Sequence, residues 1–403
     1  MLRSSQLCLL LALSLLLGGC WVDWTFAPGG PSAAQPIEGF GAVTRGALDS
    51  PDGYETVRVT SLADSGPGTL REALSAGKRL IVFDVGGEIT LESNLDIDFP
   101  YITIDGATAP EPGITLRKAM SARGRMEVHG THDVVIRHLR YQGLYDGTKV
   151  NGAATITIDG DTPPDRKAER IVFDHLTLRN GADRGPDIWG EVRDVTLSWC
   201  FVFYSRAPTA ISHFPAPYYP RENISFHHNV YAKNSETAPI VRGDVTRLDF
   251  VNNVIYDWGY LGGSGYGMQI RAAQGEPSVN ANIVNNVFAL SGQGTATNFE
   301  AGLVYGKQPG PDSEENVSGG GQRTQSTVVS SQDLGELYVR GNRIPAQNRD
   351  HYSTVPTPHA IPQAAQVTTY EASELSFEVL PKVGARYRTA EEQRLLDEIA
   401  DLL

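Results

Sequence analysis

Ile224-Ser-Phe-His-His-Asn229-Val-Tyr231, Leu248-Asp-Phe-Val-Asn-Asn253-Val-Ile255, Ala281-Asn-Ile-Val-Asn-Asn286-Val-Phe288 and Leu337-Tyr-Val-Arg-Gly-Asn342-Arg-Ile344 share one pattern. Each is a strand-length run of alternating apolar residues. Each also carries an asparagine three positions after its middle apolar residue (Phe226, Phe250, Ile283, Val339). A strand this short gains a core only by stacking on copies of itself. An asparagine at the bend bonds the coils above and below and tolerates the left-handed backbone of a sharp corner. The pattern predicts an all-β chain wound as a single-stranded, right-handed parallel β-helix.

The template extends upstream with other residues at the bend, in Tyr101-Ile-Thr-Ile-Asp-Gly106, Val134-Val-Ile-Arg-His-Leu139, Ile171-Val-Phe-Asp-His-Leu176 and Val195-Thr-Leu-Ser-Trp-Cys200. The middle positions Ile104, Ile136, Phe173, Leu197, Phe226, Phe250 and Ile283 lie 32, 37, 24, 29, 24 and 33 residues apart. A shortest coil of 24 residues with variable additions implies loops inserted on one side of a solenoid. The competing architecture, an antiparallel sandwich, needs hairpin turns such as Asn-Gly between adjacent runs, and these are scarce. A short helix over Thr69–Leu74 is expected to cap the open end of the stack. A second helix is expected over Thr389–Leu403, with Leu395, Ile399, Leu402 and Leu403 on one face.

Arg3, the apolar run Leu7–Leu17 and then Leu17-Gly-Gly-Cys20 have the layout of a signal peptide, too short to span a bilayer. Leu-Gly-Gly-Cys resembles a bacterial lipobox. Residues 1–19 therefore read as the signal, and Cys20 as a lipidated N-terminus. Residues 20–36 form a tether, 37–345 the solenoid domain, and 346–403 an extension packing on it. On this reading the protein is exported and lipid-anchored to the bacterial outer membrane, on either face, and meets the membrane through that lipid alone. Cys8 leaves with the signal, so Cys200 remains as a small buried apolar residue and no disulfide framework is possible. A net charge of −13, from 47 acidic against 34 basic residues, argues against nucleic acid as partner. It also means that a polyanionic ligand needs a local cationic patch or a bridging metal. A monomer is expected.

Several further segments carry a family likeness. These are Gly39-Phe-Gly41, Val59-Thr-Ser-Leu62, Gly68-Thr-Leu-Arg71-Glu-Ala73, Ile81-Val-Phe-Asp-Val-Gly-Gly87 and Ile102-Thr-Ile-Asp-Gly106. Together with Val135-Ile-Arg137-His-Leu-Arg140, Phe173-Asp-His175, Phe226-His-His-Asn229, Val251-Asn-Asn253 and Val379-Leu-Pro-Lys-Val-Gly-Ala385, they resemble the pectate lyase family with the right-handed β-helix fold. The likeness covers roughly residues 37–390. It implies Ca²⁺-assisted β-elimination on a pectate-like acidic polysaccharide. The proton at C5 of a uronate becomes removable when its carboxylate is neutralised. A base within hydrogen-bond reach takes that proton, and O4 departs without water being consumed.

Calcium wants several oxygen ligands, hence carboxylates clustered on neighbouring coils. By the resemblance, Asp183 and Asp187 match the family's metal-binding pair. The aspartate expected on the preceding coil is absent, where Asn151-Gly-Ala-Ala154 stands. The family's Arg-x-Pro-x-x-Arg motif, whose first arginine is the base, is here Thr237-Ala-Pro239-Ile-Val-Arg242. A threonine hydroxyl does not take that role at its ordinary pKa, so Arg242 is the catalytic candidate. Arg184, Arg206, Lys233 and Arg271 are candidates for binding acidic sugar, and Tyr218 and Tyr219 for stacking on it. Asp174-His175 reads as a coil-stabilising pair. His227 and His228, adjacent on a strand, are expected to point to opposite sides in structural roles. Thr237 and Ala154 leave a second reading open, a non-catalytic anchored β-helix that binds acidic polysaccharide. A β-helix glycoside hydrolase is disfavoured, since no Asp-Asp pair occurs to supply closely held carboxylates.

Overall fold

The computed structural model describes residues 36–119, 124–147, 154–160, 166–206, 210–211, 221–242, 245–260, 266–273, 279–291, 303–308, 336–344 and 355–403. Of residues 210, 242, 271–273 and 303–308 it describes the backbone alone. Cys20 with the whole signal and tether up to residue 35, Asn151, Tyr218 and Tyr219 lie outside the described residues.

Three parallel sheets form the walls of the solenoid, and the chain visits them in rotation. The first sheet has ten strands: Glu55–Val59, Arg79–Phe83, Ile102–Asp105, His132–Arg137, Ala168–Asp174, Val192–Ser198, Arg221–His227, Val245–Val251, Val279–Val284 and Leu337–Arg340. The second runs from Gly87–Leu91 through Ile114–Lys118, Leu139–Gln142, Thr177–Arg179, Phe201–Phe203, Val230–Ala232 and Val254–Tyr256 to Val287–Ala289. The third runs from Leu95–Ile97 through Met126–His129, Ile156–Gly160, Asp187–Gly190, Ala210–Ile211, Ile240–Arg242 and Met268–Ala273 to Leu303–Gln308. Ile104, Ile136, Phe173, Leu197, Phe226, Phe250, Ile283 and Val339 stand in one register row, and all but Val339 are at most 1% exposed. Period-two alternation therefore builds a continuous interior, as a stacked array requires.

At the corner between the first and second sheets the asparagines form a ladder. The side-chain amides of Asn229, Asn253, Asn286 and Asn342 donate to the carbonyls of Leu197, Phe226, Phe250 and Ile283 at 2.9, 2.9, 2.9 and 2.7 Å. Their Oδ1 atoms accept from the backbone N–H groups of Cys200, Asn229, Asn253 and Asn286 at 2.9, 3.0, 2.8 and 2.8 Å. The left-handed residue of each corner is not the ladder asparagine but the one before it: His138, His175, Trp199, His228, Asn252 and Asn285, with φ between 52° and 56°, and Gly341, with φ 71°. Replacing Asn253 with alanine is expected to cost about 1–3 kcal/mol, because the buried Asn229 N–H loses its acceptor. Urea denaturation checks this. Cys200 occupies the same corner position and is fully buried, its thiol pushed up by burial.

The helix expected at the open end is Leu70–Ala73, capped by the Thr69 hydroxyl, which accepts from the Glu72 N–H. The N-terminal segment then straps the outside of the first sheet. Phe40, Gly41 and Ala47 N–H groups donate to Ser225 Oγ, Thr196 Oγ1 and Thr103 Oγ1 at 2.9, 2.8 and 3.0 Å. A Cβ at Gly41 would stand 2.9 Å from Val172 Cγ2 and 3.0 Å from the Ile171 oxygen and the Thr196 nitrogen, so a side chain here would push the strap off the sheet. The polar row continues from Thr196 and Ser225 to Asp249 and Asn282, and Asn282 exchanges hydrogen bonds with the His359 backbone.

Asp249 is 2% exposed and its Oδ1 has no partner. Burial pushes its carboxyl up to about 6, against a weaker pull downward from Asn282. The folded value lies above the unfolded one, so the buried charge costs stability as pH rises from about 4 to 6. The cost is complete above 6 and amounts to about 2–3 kcal/mol. Asp249→Asn is expected to gain stability over wild type at pH 8 and to lose that advantage at pH 4, by urea denaturation.

The segment 367–389 descends along the asparagine corner. Tyr370 N–H donates to Asn252 Oδ1 at 2.7 Å, Gly384 N–H to the Trp199 carbonyl at 2.8 Å, and Ala385 N–H to Thr177 Oγ1 at 2.9 Å. The expected second helix is Ala390–Leu402, with a capping box between Thr389 and Glu392. Leu395, Leu396 and Ile399 pack on Phe201, Phe203, Val230, Val254 and Tyr256 of the second sheet. Leu402, expected on that face, is instead 40% exposed, whereas Leu403 packs against the same cluster.

Candidate active site on the third sheet

Strand Asp187–Gly190 carries Ile188 into the core and leaves Asp187 and Trp189 on the outer face. Register pairs Asp187 with Thr157 and Ala210, and the same row continues through Ile240 and Gln269 on the next two strands. Arg242 and Arg271 are paired two residues beyond, in the row that passes through Asp159 and Trp189. Asp187, Arg242 and Arg271 thus hold strand positions on the same face of one sheet.

Asp183, four residues ahead of Asp187, lies in the turn that leads into this sheet. Arg206 on the next coil reaches Asp183 Oδ1 at 3.3 Å and, with its other terminal nitrogen, Glu236 Oε1 at 2.5 Å on the coil after that. Backbone bonds align the three: Arg206 N–H donates to the Gly181 carbonyl at 2.8 Å, and Glu236 N–H to the Arg206 carbonyl at 2.7 Å. Arg206 and Asp183 are each 18% exposed. The structure therefore joins two of the predicted site residues in one acid–base–acid column. Sequence reasoning missed Glu236, although it directly precedes Thr237 in the motif stretch. Arg184 lies partly buried in the same turn, with its carbonyl accepting from Thr155 N–H at 3.2 Å.

Three observations bear on the departures from the family pattern. Ala154 is 3% exposed and brings no carboxylate. The next residue, Thr155, is fully buried, and its Oγ1 has no hydrogen-bond partner. That oxygen lies against Gly185, between Asp183 and Asp187, where a Cβ would come within 2.1 Å of it. Thr237 is 4% exposed, and its hydroxyl accepts from the Tyr266 N–H at 3.1 Å, a structural role in a buried position.

Other expectations change. Lys233 belongs under the C-terminal helix, paired with Glu398 at 2.6 Å, not in the groove. His227 and His228 do not point to opposite sides: both are buried, with Nδ1 atoms 2.8 Å apart. The positive φ of His228 breaks the strand's alternation and swings its ring beside its neighbour. Asp174 and His175 do pair, at 2.8 Å, with Ser198 Oγ donating to Asp174 at 2.7 Å. Towards the N-terminal coils the same outer face turns acidic. His129 stands between Asp98 and Asp159, 3.5 Å from each, and burial followed by the charges of Asp98 and Glu127 raises the carboxyl of Asp96. A separate hollow of about 510 Å³, lined by Glu222, Thr246, Arg247, Asn280 and His359, opens on the first sheet and holds none of the predicted site residues.

The chain is 30% identical to a protein named probable pectate lyase C from Aspergillus fumigatus over 315 residues, 76% of this chain and 66% of that one. Counterparts from Neosartorya fischeri and Aspergillus terreus are also 30% identical, over 75% and 66% of this chain. The chain spans 57% to 66% of the length of these three curated relatives. No protein-family model matches it. Among solved structures, the major allergen of cedar pollen superposes with a TM-score of 0.60 at 15% identity, covering 87% of this chain and 92% of that one. A pectate lyase from Bacillus sp. N165, in complex with trigalacturonate, superposes with a TM-score of 0.50 at 14% identity, covering 85% and 99%. This chain belongs to the pectate lyase family of right-handed parallel β-helix proteins.

Proposed function

We propose that the protein is a polysaccharide lyase that cleaves a pectate-like polyuronate by calcium-assisted β-elimination on the outer face of the third sheet. The observation that carries this reading is the placement of Asp183, Asp187, Arg206, Glu236, Arg242 and Arg271 on neighbouring coils of that one wall. The named relatives and the trigalacturonate bound by the Bacillus lyase support the substrate class. The donor set fits calcium: hard carboxylate oxygens from Asp183 and Asp187, beside the unpartnered Thr155 hydroxyl. Calcium held there supplies the charge that neutralises a uronate carboxylate and acidifies the C5 proton.

The chain's own groups do the rest. Arg206 is drawn toward Asp183 and Glu236, which balances carboxylates that otherwise repel a polyanion. A guanidinium at 271 binds a uronate carboxylate through its two parallel N–H groups. Arg242 in its neutral guanidine form takes the C5 proton and becomes guanidinium; the C5–H electrons form the C4=C5 bond as the C4–O4 bond breaks, and O4 leaves with the shortened chain, taking a proton from solvent. Incubation with several uronate polymers, read by the ultraviolet absorbance of the unsaturated product, tests this. Calcium-dependent product is expected. A chain that binds pectate without forming product in calcium would be the non-catalytic binder that Thr237 and Ala154 also suit.

The anchor is a proposal of the same kind. Lipidation at Cys20, with export to a bacterial outer membrane, rests on Leu17-Gly-Gly-Cys20 alone. Mass spectrometry of the mature N-terminus is expected to show diacylglyceryl cysteine, and an unmodified Cys20 would refute it.

A further inference from the structure

The N-terminal strap crosses the asparagine corner at Glu38, and there Glu38, His227 and His228 bring potential ligand atoms within 4.8 Å of one another. Both histidines are at most 1% exposed, whereas Glu38 is only partly buried and opens a path to solvent. His227 Nε2 lies 3.3 Å from the Glu38 carbonyl. A carbonyl only accepts, so this nitrogen carries the proton and His227 Nδ1 presents a lone pair. His228 Nδ1, at 2.8 Å, must then donate to it. What remains is His228 Nε2, a lone pair without a partner in a fully buried ring. The Glu38 carboxylate accepts from Thr368 Oγ1 and N–H at 2.6 and 2.9 Å and keeps lone pairs to spare.

We infer that this corner is a structural site for a divalent metal of zinc type, bound by Nδ1 of His227, Nδ1 of His228 and a Glu38 oxygen, with water in the fourth position. His227 would keep its Nε2–H on the Glu38 carbonyl, the outer bond that orients metal-binding imidazoles. His228 would shift its proton from Nδ1 to Nε2, so both rings stay neutral and the exchange releases no proton from them. With metal–nitrogen bonds of about 2.0–2.1 Å in tetrahedral geometry, the two Nδ1 atoms need to part by only about half an ångström. The second histidine cluster, His138 with Asp174 and His175, is less open to an ion, because Asp174 is committed to His175 and Ser198. An ion at Glu38 would fasten the strap, the corner and the Thr368 segment at one point.

The test uses the untagged full chain, freed of metal, carrying Asp183→Ala and Asp187→Ala so that the carboxylates of the third sheet do not compete. Titration with Co²⁺ is expected to give one tetrahedral d–d spectrum per chain, displaced by equimolar Zn²⁺. Glu38→Gln should weaken binding by at least about 10-fold with unchanged circular dichroism, and His228→Gln should abolish it. The absence of any d–d spectrum would overturn the site, leaving a plain hydrogen-bonded histidine pair. So would a thiolate charge-transfer band, or a spectrum indifferent to Glu38→Gln.

Discussion

Arg242→Lys is expected to lower turnover on polygalacturonate by about 10³-fold, the middle of the range for losing a positioned proton-transfer group. Thr237 is unavailable as base, because its hydroxyl is buried and holds the Tyr266 N–H. Arg242 stands in the outer row with Arg271, two strand positions beyond the row of Asp187. Lysine keeps a basic nitrogen there but not the planar guanidine, so a lost rate assigns the proton transfer to the arginine side chain rather than to simple attraction of the polyanion. Thr237→Ala should leave the rate within about threefold while costing about 1 kcal/mol of stability from the orphaned N–H. Initial rates of unsaturated-product formation, with circular dichroism as the folding control, decide it. An Arg242→Lys enzyme within threefold of wild type would move the base elsewhere.

Glu392→Ala is expected to destabilise the fold by about 3–5 kcal/mol, the cost of stranding a buried charge. Glu392 is 1% exposed and takes the Arg140 guanidinium on both oxygens, at 2.7 and 3.1 Å, while one of those oxygens also accepts the Thr389 N–H at the helix start. Arg140 is 6% exposed; the terminal nitrogen that meets Glu392 also donates to the Tyr387 carbonyl, and the remaining one meets only Thr115 Oγ1, at 3.4 Å, so among the described residues no other carboxylate pairs with it. Replacing both members, Arg140→Met with Glu392→Leu, should recover most of the loss, since an apolar pair of similar size needs no compensating charge. Urea denaturation midpoints of the single and double variants give the comparison. A single variant as stable as wild type would mean that water reaches Arg140.

What was legible in the sequence was whatever repeats. The row from Ile104 to Val339 and the ladder Asn229, Asn253, Asn286, Asn342 recur at fixed offsets, so period two and one corner residue located them. The αL residue one position earlier escaped, because that position is filled by histidine, tryptophan and asparagine in turn, which share a backbone conformation but no single residue type. Asp183 and Asp187 were found by motif. Glu236 and Arg206 meet only because coils of different length bring residues 183, 206 and 236 into one column. His227 and His228 were misjudged for a local reason: a single positive φ overrides alternation. Lys233 was misplaced because its partner, Glu398, is 165 residues away.

The descending segment 367–402 has a consequence for how the molecule comes apart. Stacked coils that touch only their neighbours unzip from either end, each losing its own small share of stability. Here Arg386 bonds the Ala107 carbonyl, Ala385 bonds Thr177, Gly384 bonds Trp199 and Tyr370 bonds Asn252, so one late stretch of chain is riveted to coils spread over most of the stack. Those coils cannot open singly without releasing the rivet, and the rivet cannot release without exposing several of them. Unfolding should therefore be abrupt for a molecule of this shape, with amides from early and late coils exchanging with solvent in one common event.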